Sequence, residues 1–172
     1  MGLINEAVGR VLEIDSGTGV NFPFYEHAIQ VDAIEPNPLM SNQSLVAIQN
    51  ACIPIELHTV SAEELPFADN TFDSVVATLV FCTIPEPAKA LQEIRRVSKK
   101  GAKLLLFEHV RMDQKLLGKA QDLLNPLWAR VADGCQLNRN TLDLLKQSGF
   151  TITKVDSYYK DLFLYIECLN EE

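Results

Sequence analysis

What the sequence lacks narrows its function before any motif does. Its 172 residues hold four cysteines, Cys52, Cys82, Cys135 and Cys168, and no two of them form a C-x-x-C pair. The three histidines show no H-x-x-x-H spacing either. Zinc ribbons and disulfide frameworks are therefore disfavoured, no metal site is expected, and the cysteines read as reduced thiols of a cytoplasmic protein. No apolar run approaches the roughly 18 residues of a membrane span, so no transmembrane segment is expected. The longest, around Ser74 to Cys82, suits a buried strand. A secretory leader is not expected, and Met1-Gly2 is followed by Glu6 where a myristoylation start wants serine or threonine. Positive charge is also short: 15 Lys and Arg against 23 Asp and Glu give a net charge of -8. That balance disfavours nucleic acid and anionic lipid as partners. Arg95-Arg96 and Lys99-Lys100 form a local basic patch, read as the last turn of a helix whose dipole it complements. Repeats, low-complexity tracts and linkers are absent as well. With 47% hydrophobic residues, residues 1–172 are long enough for one domain with a substantial core.

What is present alternates between strand-like and helix-like segments. Arg10 to Ile14, Gln30 to Ile34, Ile55 to Thr59, Ser74 to Leu79 and Ala102 to Phe107 read as strands. Near-continuous aliphatic runs separated by helices imply a parallel sheet covered on both faces. Pro38 opens one helix, through Ser41 to Ala51. Pro87 opens another, with Leu91, Ile94 and Val97 on one face, a basic end at Lys100 and Gly101 as its C-terminal glycine. Asp113 to Val131 reads as a helix interrupted at Asn125-Pro126, and Asn140 to Gln147 as a short helix ended by Gly149. Thr151 to Tyr158 and Leu162 to Leu169 then form two strands. Their short link, Tyr159-Lys160-Asp161, forces antiparallel pairing.

The chemistry concentrates in VLEIDSGTGVNF, Val11 to Phe22. An apolar strand carrying Glu13 runs into a turn with Gly17 and Gly19, whose free backbone amides suit an anionic or adenosine-containing ligand. Glu35 ends the next strand about twenty residues beyond the turn, the distance of a carboxylate that holds ribose hydroxyls. A dinucleotide loop needs G-x-G-x-x-G. Counted from position 15 its last glycine falls on Val20, and counted from Gly17 on Phe22, which disfavours a dinucleotide oxidoreductase. The E-x-G-x-G-x-G loop of S-adenosylmethionine enzymes matches Glu13 through Gly19 except that Asp15 stands at the first glycine. Aspartate adds bulk there, although it tolerates the left-handed region better than most residues. Weakened cofactor binding is the expectation.

Together with VDAIEPNP, SAEELPFADNTFDSVVATLVFCTI and ALQEIRRVSKKGAKLLLFEHV, this stretch resembles the successive motifs of class I S-adenosylmethionine-dependent methyltransferases of the type 11 group, from Val11 to about Phe150. TLVFCTI, EHV and NPLWARVADGCQLNR are similar to distinctive segments of methyltransferase-like thiol methyltransferases and bacterial phospholipid-type N-methyltransferases. The resemblance implies an α/β, Rossmann-like, doubly wound sheet of seven strands in the order 3-2-1-4-5-7-6, the last strand antiparallel, in a single domain. It implies S-adenosyl-L-methionine as cofactor and S-adenosyl-L-homocysteine as product. Glu13 and the turn of Asp15, Gly17 and Gly19 would face the methionine portion, and Glu35 the ribose. Pro36 and Asn37 would flank the adenosine, and Ala62 and Glu63 would meet the adenine. Thr78, Leu79 and Val80 would lie beneath the sulfonium and the acceptor.

Duller readings stand beside these. Glu35 could be a surface carboxylate, Glu63 a solvated acid at a helix start, and Thr78 to Val80 pure core. Phe22 and Phe24 read as packing, and Trp128 as helix packing or the wall of an acceptor pocket. The implied activity is methyl transfer to a small-molecule or lipid-like acceptor through a thiol, amine or oxygen. A thiol, with a reference pKa near ~8.5, gains from help in ionising; the candidate bases are Glu108, His109 and Asp133. Met1 to Arg10 is too short for the N-terminal helical cap of relatives, so that cap is expected to be absent. With Asp15, this keeps open a second reading: a degenerate, noncatalytic cofactor-binding or interaction protein.

Overall fold

The computed structural model describes residues 2–132 and 134–171. Its seven strands are β1 (Gly9–Ile14), β2 (Ala28–Ile34), β3 (Ile55–His58), β4 (Phe72–Thr78), β5 (Ser98–His109), β6 (Thr151–Tyr158) and β7 (Phe163–Leu169). They form one sheet in the order β3-β2-β1-β4-β5-β7-β6. The β1–β2, β1–β4, β2–β3 and β4–β5 pairs are parallel, whereas β7 runs antiparallel to both β5 and β6. This is the topology expected from the sequence. Tyr159, Lys160 and Asp161 make the reversal before β7 with φ of 51°, 59° and 67°.

The aliphatic strands bury both faces of the sheet. Leu12, Ile14, Val75, Ala77, Leu104 and Leu106 pack into one core. Their neighbours Val11, Val76 and Leu105 point the other way into a second core, as the two-residue period of a strand demands. The first core is covered by helix α3 (Pro87–Val97), through Leu91, Ile94 and Val97, and by helix α5 (Thr141–Gln147), through Leu145. Burying each such side chain is worth about 1.5–3 kcal/mol. The second is covered by helix α1 (Gly2–Asn5), by a single 3-10 turn (Phe22–Phe24) and by the inner side of helix α2 (Pro38–Gln49). Phe22 is completely buried there, so its packing role is met. Helix α4 (Lys115–Val131) leaves Trp128 largely exposed.

Two local expectations are corrected. Helix α3 ends at Val97, and Lys99, Lys100 and Gly101 already belong to β5. The Ser98 hydroxyl donates to the Ile94 carbonyl, and the Asn170 side chain donates to the carbonyls of Arg95, Ser98 and Lys99. A residue near the C-terminus thus draws the chain out of the helix, and Lys99 pairs with Asp73 at 2.7 Å rather than completing a helical turn. Helix α4 continues through Pro126. Proline removes one backbone donor, while Gln121 and Asn125 tie the helix to the 136–137 chain by side-chain hydrogen bonds. The stretch before β1 holds one helical turn, α1, anchored by buried Ile4.

The parallel order reverses direction at β1, which has β2 on one side and β4 on the other. In such sheets ligands bind in the crevice beyond the carboxyl ends of the strands at this switch point. Asp15, Glu35, Leu79 and the end of β5 all lie at those carboxyl ends.

Candidate cofactor and acceptor site

The turn after β1 is built by backbone strain and two carboxylates. Asp15, Gly17 and Gly19 have φ of 46°, 57° and 75°. A Cβ on Gly19 would lie 2.5 Å from the Phe22 ring, whereas one on Gly17 would meet nothing within 4 Å. Gly19 is therefore required by packing, and Gly17 leaves room beside the backbone. The Gly17 N–H donates to Glu35 Oε2 at 2.9 Å and the Asn37 N–H to Glu35 Oε1 at 2.8 Å. Glu35 is nearly buried, and each of its oxygens keeps a second lone pair for another donor. Asn37 also caps α2 by accepting from the Leu39 N–H.

Glu13 lies behind the turn, not on its open side. Its carboxylate, 1% exposed, accepts from Tyr25 Oη at 2.8 Å and from Asn21 Nδ2 at 2.9 Å. Asn21 Nδ2 also reaches Thr78 Oγ1 at 2.9 Å, so one side chain links the ends of β1 and β4. Burial pushes the Glu13 carboxyl up to about 7, against the pull of these hydrogen bonds. Asn21 and Tyr25 were missed in the sequence, where a lone amide and phenol carry no spacing signal.

Asp15 sits in an acidic hollow. Burial, then the charges of Glu35 and Glu63, push its carboxyl up to about 7. Its Oδ1 is buried with no partner. Together with Pro36, Ser61, Glu63 and Ile84 it lines a cavity of about 390 Å³. Ala62 is buried. Burial works against the Glu63 charge, but hydrogen bonds from Ser61 and the Glu86 N–H hold it below the ordinary carboxylate value, with help from Lys89.

A larger cavity of about 590 Å³ lies on the other side of the switch point, lined by Leu3, Asn21, Thr78, Leu79, Phe107 and Tyr158 among others. Leu79 is left-handed at φ 58° and half exposed, while Val80 is buried. The Val80 and Phe81 N–H groups donate to Glu108 Oε1 at 2.9 and 3.1 Å. Glu108 is fully buried, and burial pushes its carboxyl up to about 8 despite those bonds. His109 Nε2 lies 3.2 Å from Cys135 Sγ, and burial lowers the imidazole pKa. Asp133 lies outside the described residues. The fold thus brings together the residues named at the ends of β1, β2 and β4, and turns Glu13 and Glu108 inward. It also adds Cys82 and Cys135 beside His109, which their wide separation in sequence had argued against.

Comparison with known proteins decides the family. Residues 12–106 match the family described as "Methyltransferase domain". The chain belongs to this methyltransferase family. A thiol S-methyltransferase TMT1B of Rattus norvegicus is 35% identical over 161 residues, covering 90% of this chain and 64% of that protein. A phosphatidylethanolamine N-methyltransferase of Cereibacter sphaeroides is 33% identical over 123 residues, covering 70% of this chain and 61% of that one. The chain therefore spans less than two thirds of the length of these relatives. A solved putative methyltransferase from Bacillus halodurans superposes with a TM-score of 0.78 at 22% identity, covering 91% of this chain and 71% of that one. The YcgJ protein of Bacillus subtilis gives 0.79 at 15%, covering 99% and 97%; both show the shared fold.

Membership carries S-adenosylmethionine as cofactor, and the residues present fit it. Glu35 retains lone pairs toward the crevice, Gly17 leaves space beside the turn, and the orphaned Asp15 Oδ1 and Ser16 Oγ are polar atoms that a polar ligand would satisfy. No helix among the described residues is long and apolar enough to cross a membrane.

Proposed function

We propose that this chain is an S-adenosylmethionine-dependent methyltransferase whose acceptor is a small or lipid-like molecule, a thiol foremost, with amines and oxygens as alternatives. The observation that carries this reading is the Glu35 carboxylate, locked by the Gly17 and Asn37 N–H groups at the end of β2, next to Asp15 and Pro36, which line the smaller cavity. The named activities of the thiol and phospholipid relatives support the acceptor class. A reducing, cytoplasmic setting belongs to the same proposal, and four free cysteines are compatible with it.

When bound, the cofactor supplies a methyl group already activated by its positive sulfur. The protein's part is position and field. Glu35, held rigid by its two backbone donors, would accept ribose hydroxyls. Pro36 and Asn37 would border the adenosine, and Ala62 and Glu63 would meet the adenine, Glu63 from the wall of the smaller cavity. Gly17, Gly19 and Asp15 would present backbone and carboxylate to the amino-acid portion, and Glu13 positions the turn through Asn21 and Tyr25. Thr78, Leu79 and Val80 would form the floor between donor and acceptor. Glu108 acts as a positioning group for that floor, because its bonds to the Val80 and Phe81 N–H groups commit it there.

The test is calorimetry with S-adenosylhomocysteine followed by a methyl-transfer screen over thiols, amines and phospholipids. Binding heat with transfer to one class is expected, and absence of binding by the wild type and by Asp15→Gly alike would overturn the reading. The second reading, a noncatalytic cofactor binder, is favoured by one feature, the bulky acid at position 15. It predicts binding without transfer to any acceptor.

A further inference from the structure

Cys82, His109 and Cys135 come from three separate segments: the exit of β4, the end of β5 and the chain after α4. Each offers one ligand atom, and the three atoms lie within 4.8 Å of one another. Tetrahedral coordination by sulfur at about 2.3 Å and imidazole nitrogen at about 2.0 Å places such donors about 3.5–3.8 Å apart. The His109–Cys135 separation of 3.2 Å is close to that range.

The cluster is held in place by its neighbours as well as by its own contacts. The Gln136 N–H donates to the Cys82 carbonyl at 2.9 Å, joining the two cysteine segments through their backbones. Arg139 donates to the carbonyls of Phe81 and Ile84 at 2.7 and 2.6 Å, on either side of Cys82. The Arg111 N–H donates to the Arg139 carbonyl at 3.1 Å, tying in the chain just beyond His109. All three donor-bearing segments are thus locked together next to the donors themselves. Within this frame the other ring nitrogen, His109 Nδ1, is buried without a partner. Nε2, 3.2 Å from Cys135 Sγ, is the ring nitrogen placed to take a cation.

We propose that Cys82, His109 and Cys135 form a site for a thiophilic divalent cation of the zinc type, with its fourth position open to a thiolate. Two sulfurs and one imidazole select such a cation over magnesium or calcium. Three protein ligands are the pattern of sites that bind a reacting molecule, since purely structural sites close with four. Among the described residues, no fourth carboxylate, imidazole or thiol joins the group. The site adjoins the larger cavity through its neighbours. Cys82 Sγ approaches the Leu79 carbonyl at 3.5 Å, Leu79 and Phe107 line that cavity, and His109 follows Phe107 by two residues on the same face of β5.

The acceptor role rests on the methyl-transfer reading above; the metal site does not. In that role the acceptor thiol releases its proton to solvent and its sulfur occupies the fourth position. The sulfur lone pair then forms the new carbon–sulfur bond. The methyl–sulfonium bond breaks and its electron pair returns to the cofactor sulfur.

The experiment uses the full chain, purified reduced and without chelators. Elemental analysis should find zinc bound at one ion per chain, and cobalt(II) substitution should give sulfur-to-metal charge-transfer absorption. That spectrum should shift on adding an alkanethiol and not on adding the corresponding amine. Cys82→Ser and Cys135→Ser should lower metal affinity by at least about tenfold, while Cys52→Ser, at an exposed thiol, should not. Should the serine variants fail to fold, alkylation of Cys135 in the wild type reads the same point: metal slows it and a chelator restores it. No metal uptake, or a Cys82–Cys135 disulfide that binds no metal after reduction, would overturn the site. Metal without a thiol-induced shift would overturn the acceptor role alone. Metal binding without S-adenosylhomocysteine binding would instead remove the methyltransferase reading and leave the site standing.

Discussion

On the bank of the crevice formed by β1 and β2, the working groups follow their strands immediately. Asp15 comes one residue after β1, Glu35 one residue after β2, and the two are joined through Gly17. On the bank formed by β4 and β5, the groups come from distant segments: His109 and Cys135 are 26 residues apart, and Arg139 secures Phe81 across 58. The first bank crowds carboxylates and raises Asp15 to about 7. The second pairs thiols with an imidazole and keeps its carboxylate, Glu108, fully buried. A short turn brings its own groups together, so evolution can read and edit it locally. An assembled cluster depends on every segment that holds it.

The comparison is broken most severely at Gly19. Gly19→Ala should cost about 2–4 kcal/mol, from overpacking against Phe22 and from left-handed strain, read as a fall in urea midpoint. Gly17→Ala, with open space at its Cβ, should cost only the strain, about 1–2 kcal/mol. If the two cost the same, packing is not what sets the turn.

Glu35→Gln tests whether the first bank binds through charge. Losing one acceptor oxygen leaves the Gly17 or Asn37 N–H poorly paired, which should cost about 1–3 kcal/mol. S-adenosylhomocysteine affinity should drop by at least about tenfold in calorimetry, since 1.4 kcal/mol is a factor of ten.

Asp15 supplies a pH test. Its carboxyl is raised from 3.8 to about 7 by burial and by the charges of Glu35 and Glu63. An acid raised on folding keeps its proton in the native state while the unfolded chain releases it. Its favourable contribution is complete below the unfolded pKa, declines as pH rises between the two values, and is gone above about 7. Asp15→Asn should therefore gain stability over wild type at pH 8, with the difference vanishing toward pH 4, in paired urea titrations. A pH-independent difference would mean that bulk, not charge, is the penalty at this position.

The smallest effect is expected at Leu79, the left-handed residue of the second bank. Leu79→Gly should change stability by less than about 1 kcal/mol, because relief of strain offsets the added freedom of the unfolded chain. A loss as large as that of Gly19→Ala would show that the exposed Leu79 side chain carries packing after all.

The parallel strands, the closing antiparallel hairpin and the glycine turn were legible because they depend on local patterns: aliphatic runs, turn residues and a carboxylate one strand over; the strand order came from the resemblance of the successive motifs. The left-handed φ of Asp15, suggested by the glycine it replaces, belongs to the same class. Less legible was the end of α3, because Asn170, far along the chain, draws residues 98–100 into β5. Pro126 misled for a related reason: contacts from outside the helix hold α4 together through it. The inward turn of Glu13 toward Asn21 and Tyr25 left no pattern either.

By itself, then, the sequence determined a parallel sheet covered on both faces and the place where a cofactor would lie, because hydrophobic period and backbone freedom act over a few residues. Only the tertiary structure decided which carboxylates face the crevice and which are sealed inside. It alone brought Cys82, His109 and Cys135 within 4.8 Å. Such proximity comes from packing between segments remote in the chain, and residue spacing carries no record of it.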